Sequence, residues 1–203
     1  MNPAIEVLMN EHRLIEQVMG ALETYVDRLA NGRAASRDVV AQFARFFQSF
    51  ADKCHHGKEE DRLFVALSRC GFPREYGPVS VMLAEHTQGR VHVRALAGLG
   101  QGSGPLSAAE TQQVMEHARA FIPLLRDHIQ KEDNILYPMA LQAIPATDLQ
   151  KLDADCEAFE REVVGSDAIQ QLKDLALNLV GAYPPDPERM AAGAACVGCR
   201  GHA

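Results

Sequence analysis

Along most of this chain, apolar residues recur in alternating steps of three and four, the period of helices that bury one face. The first such stripe reads Ile5, Leu8, His12, Ile15, Met19, Leu22, Val26, Leu29. A second reads Val79, Met82, His86, Gly89, Val93, Leu96, and a third Val114, Ala118, Phe121, Leu125, His128, Glu132, Ile135, Met139. Between the first and the second lies an aromatic-rich segment whose inward arc carries Phe43, Phe46, Phe50 and Phe64. Breakers at Asn31-Gly32, from Gly71 to Pro78, and from Gly100 to Pro105 cut the first 142 residues into segments at about 3–31, 36–70, 78–99 and 107–142. Asn2-Pro3, Ser107 with Glu110, and Thr147 with Gln150 read as helix starts. The pattern predicts an all-α fold, an up-down-up-down four-helix bundle over residues 1–142.

Two shorter amphipathic stretches follow in residues 146–182, one through Leu149, Leu152, Phe159 and Val163, the other through Ile169, Leu172, Leu175 and Leu179. They are expected to be additional C-terminal helices, packed on the bundle or on a second copy in a homodimer. Residues 183–203 turn Pro-rich and then Gly/Ala-rich, and read as a weakly ordered tail carrying Cys196-x-x-Cys199. That dithiol, with His202 nearby, is a candidate redox pair or accessory metal clip.

A chain of 203 residues can bury one sizeable core. Acidic residues outnumber basic ones 27 to 20, so nucleic acid and anionic membrane surfaces are poor partners. No run approaches the roughly 20 apolar residues of a spanning helix, and the start lacks a basic, then apolar leader. A cytoplasmic location is expected. An odd count of 5 cysteines fits a reducing compartment, with Cys54, Cys70 and Cys156 as buried or half-buried thiols.

Chemistry enters where polar residues interrupt the apolar seams: His12, His86, His128 and Glu132. The motif His-x-x-x-Glu occurs as His56–Glu60 and as His128–Glu132, and residues four apart share a helical face. At 100° per residue, His56 and Glu60 fall beside Leu63 and Leu67, whereas His55 and Glu59 point to the surface. Counted from one end of the bundle at about 1.5 Å per residue, the six side chains lie in one layer, roughly 12 to 20 Å deep. Buried carboxylates cost several kcal/mol each unless a cation offsets them. Imidazole and carboxylate without thiolate suit iron, manganese or zinc, and two carboxylates able to bridge suggest two ions. Glu16 and Arg90, one turn deeper than His12 and His86, are candidates to flank the centre, as a buried pair or with Glu16 as a further ligand.

The segments Asn10-Glu-His12-Arg-Leu-Ile15, His55-His56-Gly-Lys-Glu-Glu60 with Leu63-Phe64, Glu85-His86-Thr-Gln-Gly-Arg90, and His128-Ile-Gln-Lys-Glu132 through Pro138 together resemble the hemerythrin HHE cation-binding family. The resemblance implies His12, His56, Glu60, His86, His128 and Glu132 as ligands of two non-haem iron ions joined by an oxide or hydroxide, with Glu60 and Glu132 bridging. Oxygen-carrying members place a second histidine four residues after the one on the third helix, where this chain has Arg90. The six-residue set is similar to that of prokaryotic members, and it implies an open centre that reacts with peroxide or nitric oxide in preference to carrying dioxygen. If it is an enzyme, it is a di-iron oxidoreductase with catalase-like or nitric-oxide-reducing activity. Sensing or storage of O2, NO or iron, and iron donation to damaged iron–sulphur clusters, are the alternatives.

Overall fold

A computed structural model of the chain describes residues 2–195, and no strand occurs among them. Helix α1 spans Pro3–Ala30. It starts as the sequence predicts: the Asn2 side chain accepts a hydrogen bond from the Ile5 amide, and Pro3 occupies a position whose amide would lack a partner. Helix α2 runs over residues 37–69, α3 over Pro78–Gly100, and α4 over residues 108–143. Ser107 and Glu110 form a reciprocal capping box at the start of α4. The C-terminal part adds α5 (residues 146–164), α6 (Ser166–Ala182) and α7 (Pro187–Ala195).

Two helix starts differ from expectation. Helix α5 begins ahead of Thr147, with the carbonyl of Pro145 accepting from the amides of Asp148 and Leu149, and no side chain caps it. Residues 187–195, expected to be weakly ordered, form α7. Asp186 Oδ1 accepts from the Glu188 amide at 2.8 Å, and Arg189 reaches back to Asp27 of α1 at 2.7 Å. Cap and ion pair supply the local stabilisation that composition alone does not reveal. Cys196, Cys199 and His202 lie outside the described residues.

Helix α2 packs on α3, α3 on α4, and α4 on α1, while the middle of α2 meets α1. Helices α5 and α6 lie against α1 and α2. The core has two parts. One holds Ile15, Met19, Phe43, Phe47, Phe121 and Leu125, and the other holds Ile5, Leu8, Phe64, Met82, Leu136 and Tyr137. Between them lies a polar layer, because His12 separates Leu8 from Ile15, and His128 with Glu132 separates Leu125 from Leu136.

Helices α2 and α4 are not regular. In α2 the amide of Gly57 donates to the carbonyl of Asp52, and that of Phe64 to the carbonyl of Glu59. These are five-residue, π-type turns, and each takes in one residue more than an α turn. Inward positions therefore step by four and five, through Phe46, Phe50, His55, Glu59 and Phe64. The same device recurs in α4, where the Tyr137 amide donates to the carbonyl of Glu132. The sequence stripe continues through Ile135 and Met139, but the wide turn places Leu136 and Ala140 inward and leaves Ile135 59% exposed.

Helix α5 closes directly over the wide turns of α2. A Cβ on Gly57 would lie 2.6 Å from the Phe159 ring, so the two helices touch only because residue 57 has no side chain. Gly57→Ala should therefore destabilise the protein by about 1–3 kcal/mol. Truncating the ring removes the clash, so Gly57→Ala with Phe159→Ala should cost less than the sum of the single changes, by at least about 0.5 kcal/mol in urea unfolding. Strict additivity would show that the contact is not tight.

Candidate metal centre

Two groups of inward donors meet in the polar layer. His12, His55, Glu59 and Glu132 form one, and His56, Glu59, His86 and His128 form the other, so that Glu59 belongs to both. The sequence-predicted His12, His56, His86, His128 and Glu132 are thus brought together. Glu60 is not among them. The wide turns of α2 rotate His55 and Glu59 inward, so the expectation that these two face the surface is corrected: they are 1% and 0% exposed. Extrapolating 100° per residue across two π-type turns displaces the register by one residue, which exchanges Glu59 for Glu60.

Each imidazole is held from behind by a carboxylate. Nδ1 donates to Asp133 from His12 (2.7 Å), to Glu11 from His55 (2.9 Å), to Glu60 from His86 (2.7 Å) and to Glu85 from His128 (3.0 Å), with a longer contact of 3.4 Å from His56 to Asp52. A carboxylate only accepts, so the ring proton sits on Nδ1 and the Nε2 lone pair faces inward. The carboxylates are held in turn by cations: Asp133 by Arg13, Glu11 by Lys58, Glu85 by Lys131, and both Asp52 and Glu60 by Arg90. Glu60 and Arg90 thus act one layer out, with Arg90 Nη2 at 2.7 Å from Glu60 Oε1. Glu16 pairs with Arg13 on its own helix at 3.1 Å, and it joins neither Arg90 nor the inward donors.

Lys58 is fully buried yet charged. The carboxylates of Glu11 and Glu160 both accept hydrogen bonds from its ammonium, which raises its pKa despite burial. Burial pushes Glu11 up to about 7 even though Lys58 opposes it. The Lys58 ammonium keeps its charge because two carboxylates enclose it. The neighbouring Cys54 and Cys156 are buried thiols, each pushed up to about 12 by burial and so neutral. Burial raises Asp52, but hydrogen bonds from His56 and Arg90 outweigh it and bring the carboxyl to about 2.

Among the described residues, several atoms of the inner faces lack hydrogen-bond partners. His55 Nε2, His56 Nε2, Glu59 Oε2 and both Glu132 oxygens are buried without a hydrogen bond. Unpaired buried carboxylates cost several kcal/mol each, and burial together with the charge of Glu59 drives Glu132 well above the usual carboxylate range. The Nε2 atoms of His86 and His128 lie 3.0 Å apart. With both ring protons donated outward, two lone pairs face each other, an arrangement that a shared cation turns from repulsive to favourable. Two donors at about 2.1 Å from one ion and at a right angle would stand about 3.0 Å apart. Glu132 Oε2 lies 3.2 Å from the Nε2 atoms of both His12 and His128. Donor types, outward protons and orphaned inner atoms all fit metal binding.

Tyr137 closes the layer on one side. Its ring stacks on His12, and its hydroxyl donates to Glu59 Oε1 at 2.7 Å. Burial pushes the phenol well above its usual value, so the proton stays on the oxygen. On the other side, a cavity of about 310 Å³ reaches His56, His86 and His128. Sequence reasoning missed His55, Glu59, Tyr137 and the outer carboxylates. Their signals were the doublets His55-His56 and Glu59-Glu60, each pair spaced by four, and the acids adjoining inward donors in Glu11-His12, Glu85-His86 and Glu132-Asp133.

A family model for the hemerythrin HHE cation-binding domain matches residues 4–140. Proteins described as uncharacterised from Mycobacterium bovis and Mycobacterium tuberculosis are each 20% identical over 171 residues, which cover 84% of this chain and 66% of theirs. The chain therefore spans just under two thirds of the length of these curated relatives. No solved structure matches.

Two outcomes follow from this geometry. Glu59→Gln should reduce the number of ions bound per chain even at saturating metal, whereas Glu60→Gln, one layer out, should weaken binding by roughly 10- to 100-fold and leave the ion number at saturation unchanged. Equal loss in both variants would contradict the assignment. Burial holds His55, His86 and His128 below the ordinary histidine value, so metal-free protein keeps their contribution above about pH 6.5 and loses it as the pH falls below. Glu132, raised, works in the opposite sense. Urea unfolding of metal-free Glu132→Gln between pH 8 and 5 should show a steeper acid loss than wild type.

Proposed function

The chain belongs to the hemerythrin HHE cation-binding domain family, and we propose that it is a non-haem di-iron protein, an up-down-up-down four-helix bundle with its C-terminal helices packed alongside. His12, His55, Glu59 and Glu132 would hold one iron, and His56, Glu59, His86 and His128 the other. The observation that carries this reading is the set of imidazoles tied outward through Nδ1 around inner atoms that have no protein partner. When bound, iron supplies redox chemistry and coordination of small oxygen- or nitrogen-containing molecules.

The protein's own groups define the setting. The outer carboxylates fix each ring and its tautomer, which raises imidazole basicity. Phe47, Phe121 and Leu125 limit water on the cavity side. Tyr137 keeps its proton at Oη and donates a hydrogen bond to Glu59, which fixes the orientation of that carboxylate. His55 makes up in number for the histidine that Arg90 replaces. The two groups share Glu59, so seven side chains would hold the two ions, fewer donors than two six-coordinate ions take, which would leave positions for an exogenous ligand. We read the function as binding and reaction with dioxygen, peroxide or nitric oxide; the preference for peroxide or nitric oxide over oxygen carriage, which followed from a histidine missing at Arg90, loses its ground once His55 joins the set. The cavity gives reactants an approach to the His56, His86 and His128 side.

Purified protein should contain about two irons per chain and show a visible charge-transfer band. Iron-loaded protein should consume hydrogen peroxide or nitric oxide, and His128→Ala should lower that rate by roughly 10- to 100-fold. A colourless zinc protein, or an iron-loaded protein inert to both, would overturn the reading.

A further inference from the structure

The cavity beside His86 is larger than the small molecules considered so far. Its volume of about 310 Å³ is about twice the ~150 Å³ of an apolar cavity that accepts benzene, and a diatomic or a peroxide molecule needs little more than the ~30 Å³ share of one water. Pockets for organic ligands begin at about this size. Phe47, Val93, Phe121 and Leu125 form its walls, all 6% exposed or less, so a small polar guest would leave aromatic and aliphatic surface facing water.

Two features keep the space open. Gly89 lines it from α3, and a Cβ there would already touch the Phe121 ring at 3.4 Å, so any longer side chain would grow into the cavity. Arg90, next along the helix, is drawn aside by Asp52 and Glu60. The polar lining comprises the buried histidines 56, 86 and 128, with the Nε2 of His56 lacking a hydrogen-bond partner among the described residues, the exposed Gln48 and Arg94, and three charged groups already engaged: Asp52 and Arg90 with each other, and Glu85 with His128 and Lys131.

We propose that this cavity binds a small organic molecule with an apolar body the size of a substituted benzene and one oxygen-bearing end directed at the histidine floor. Organic hydroperoxides and the corresponding alcohols belong to this class. The direction of the oxygen end rests on the di-iron reading, and the fit of the apolar body does not.

The probe is 2-phenyl-2-propanol, the alcohol that corresponds to cumene hydroperoxide, which reports binding without redox chemistry. Calorimetric titration of the full chain as purified should show saturable binding of one molecule. Gly89→Leu should weaken it at least about tenfold, and Leu124→Phe, at the half-buried edge, should act in the same direction. A cooperative thermal melt establishes that each variant is folded. In the unaltered protein, the probe should shift the methyl resonances of Val93, Leu124 and Leu125. Absence of saturable binding, shifts confined to other methyls, or full affinity in folded Gly89→Leu would overturn the proposal. Metal analysis of the same sample separates the two readings. A chain that binds the alcohol but never iron keeps this site and loses the di-iron centre, and an iron-replete chain that ignores the alcohol does the reverse.

Discussion

The structure depends on the hydrogen bond between each imidazole Nδ1 and the carboxylate behind it. Because that proton is spoken for, every ring turns the same way, with a bare nitrogen toward the centre of the polar layer. The carboxylates could not sit in these half-buried places unaided, so each is met by an arginine or lysine. Charge alternates outward from the centre, from orphaned donors to imidazole, carboxylate and cation. Such a layer between two apolar cores has a desolvation cost, and the phenylalanines and leucines on either side supply the favourable term that holds the helices together around it.

Wide turns make the layer geometrically feasible. An α turn would set neighbouring residues about 100° apart, so His55 and His56 could not both serve the interior without turning apolar neighbours outward. The π-type turns on both sides of Gly57 spread the helix, and both histidines and Glu59 reach inward while Phe50 and Phe64 remain in the core. Helix α5 then packs on the widened stretch through Phe159 and through Glu160, whose carboxylate meets Lys58. The C-terminal segment thereby touches the same stretch of α2 that carries His55, His56 and Glu59.

The first four helices and their approximate limits were legible because apolar periodicity and caps act locally, as at Asn2-Pro3 and Ser107 with Glu110. His12, His86 and His128 were legible because each stands alone in an apolar seam. The choice between Glu59 and Glu60 was not, since it depends on i to i+5 hydrogen bonds that no local propensity announces. The same cause moved Ile135 outward and Leu136 inward. The outer layer was hidden for another reason: Glu11, Asp52, Glu85 and Asp133 look like ordinary surface acids, and only tertiary packing puts them behind the rings of other helices. Buried Lys58 was equally unforeseen, because its two acceptors come from α1 and α5.

The outward-tied imidazoles also fix the proton inventory of metal uptake. A cation entering such a site ordinarily competes with protons on its ligands. Here burial and mutual repulsion favour neutral rings at His55, His86 and His128, and their remaining proton is already on the far nitrogen. Burial and the charge of Glu59 favour the protonated form of Glu132 in the metal-free layer. A cation held there would therefore meet neutral imidazoles whose bare nitrogen already faces it, with no change of tautomer required.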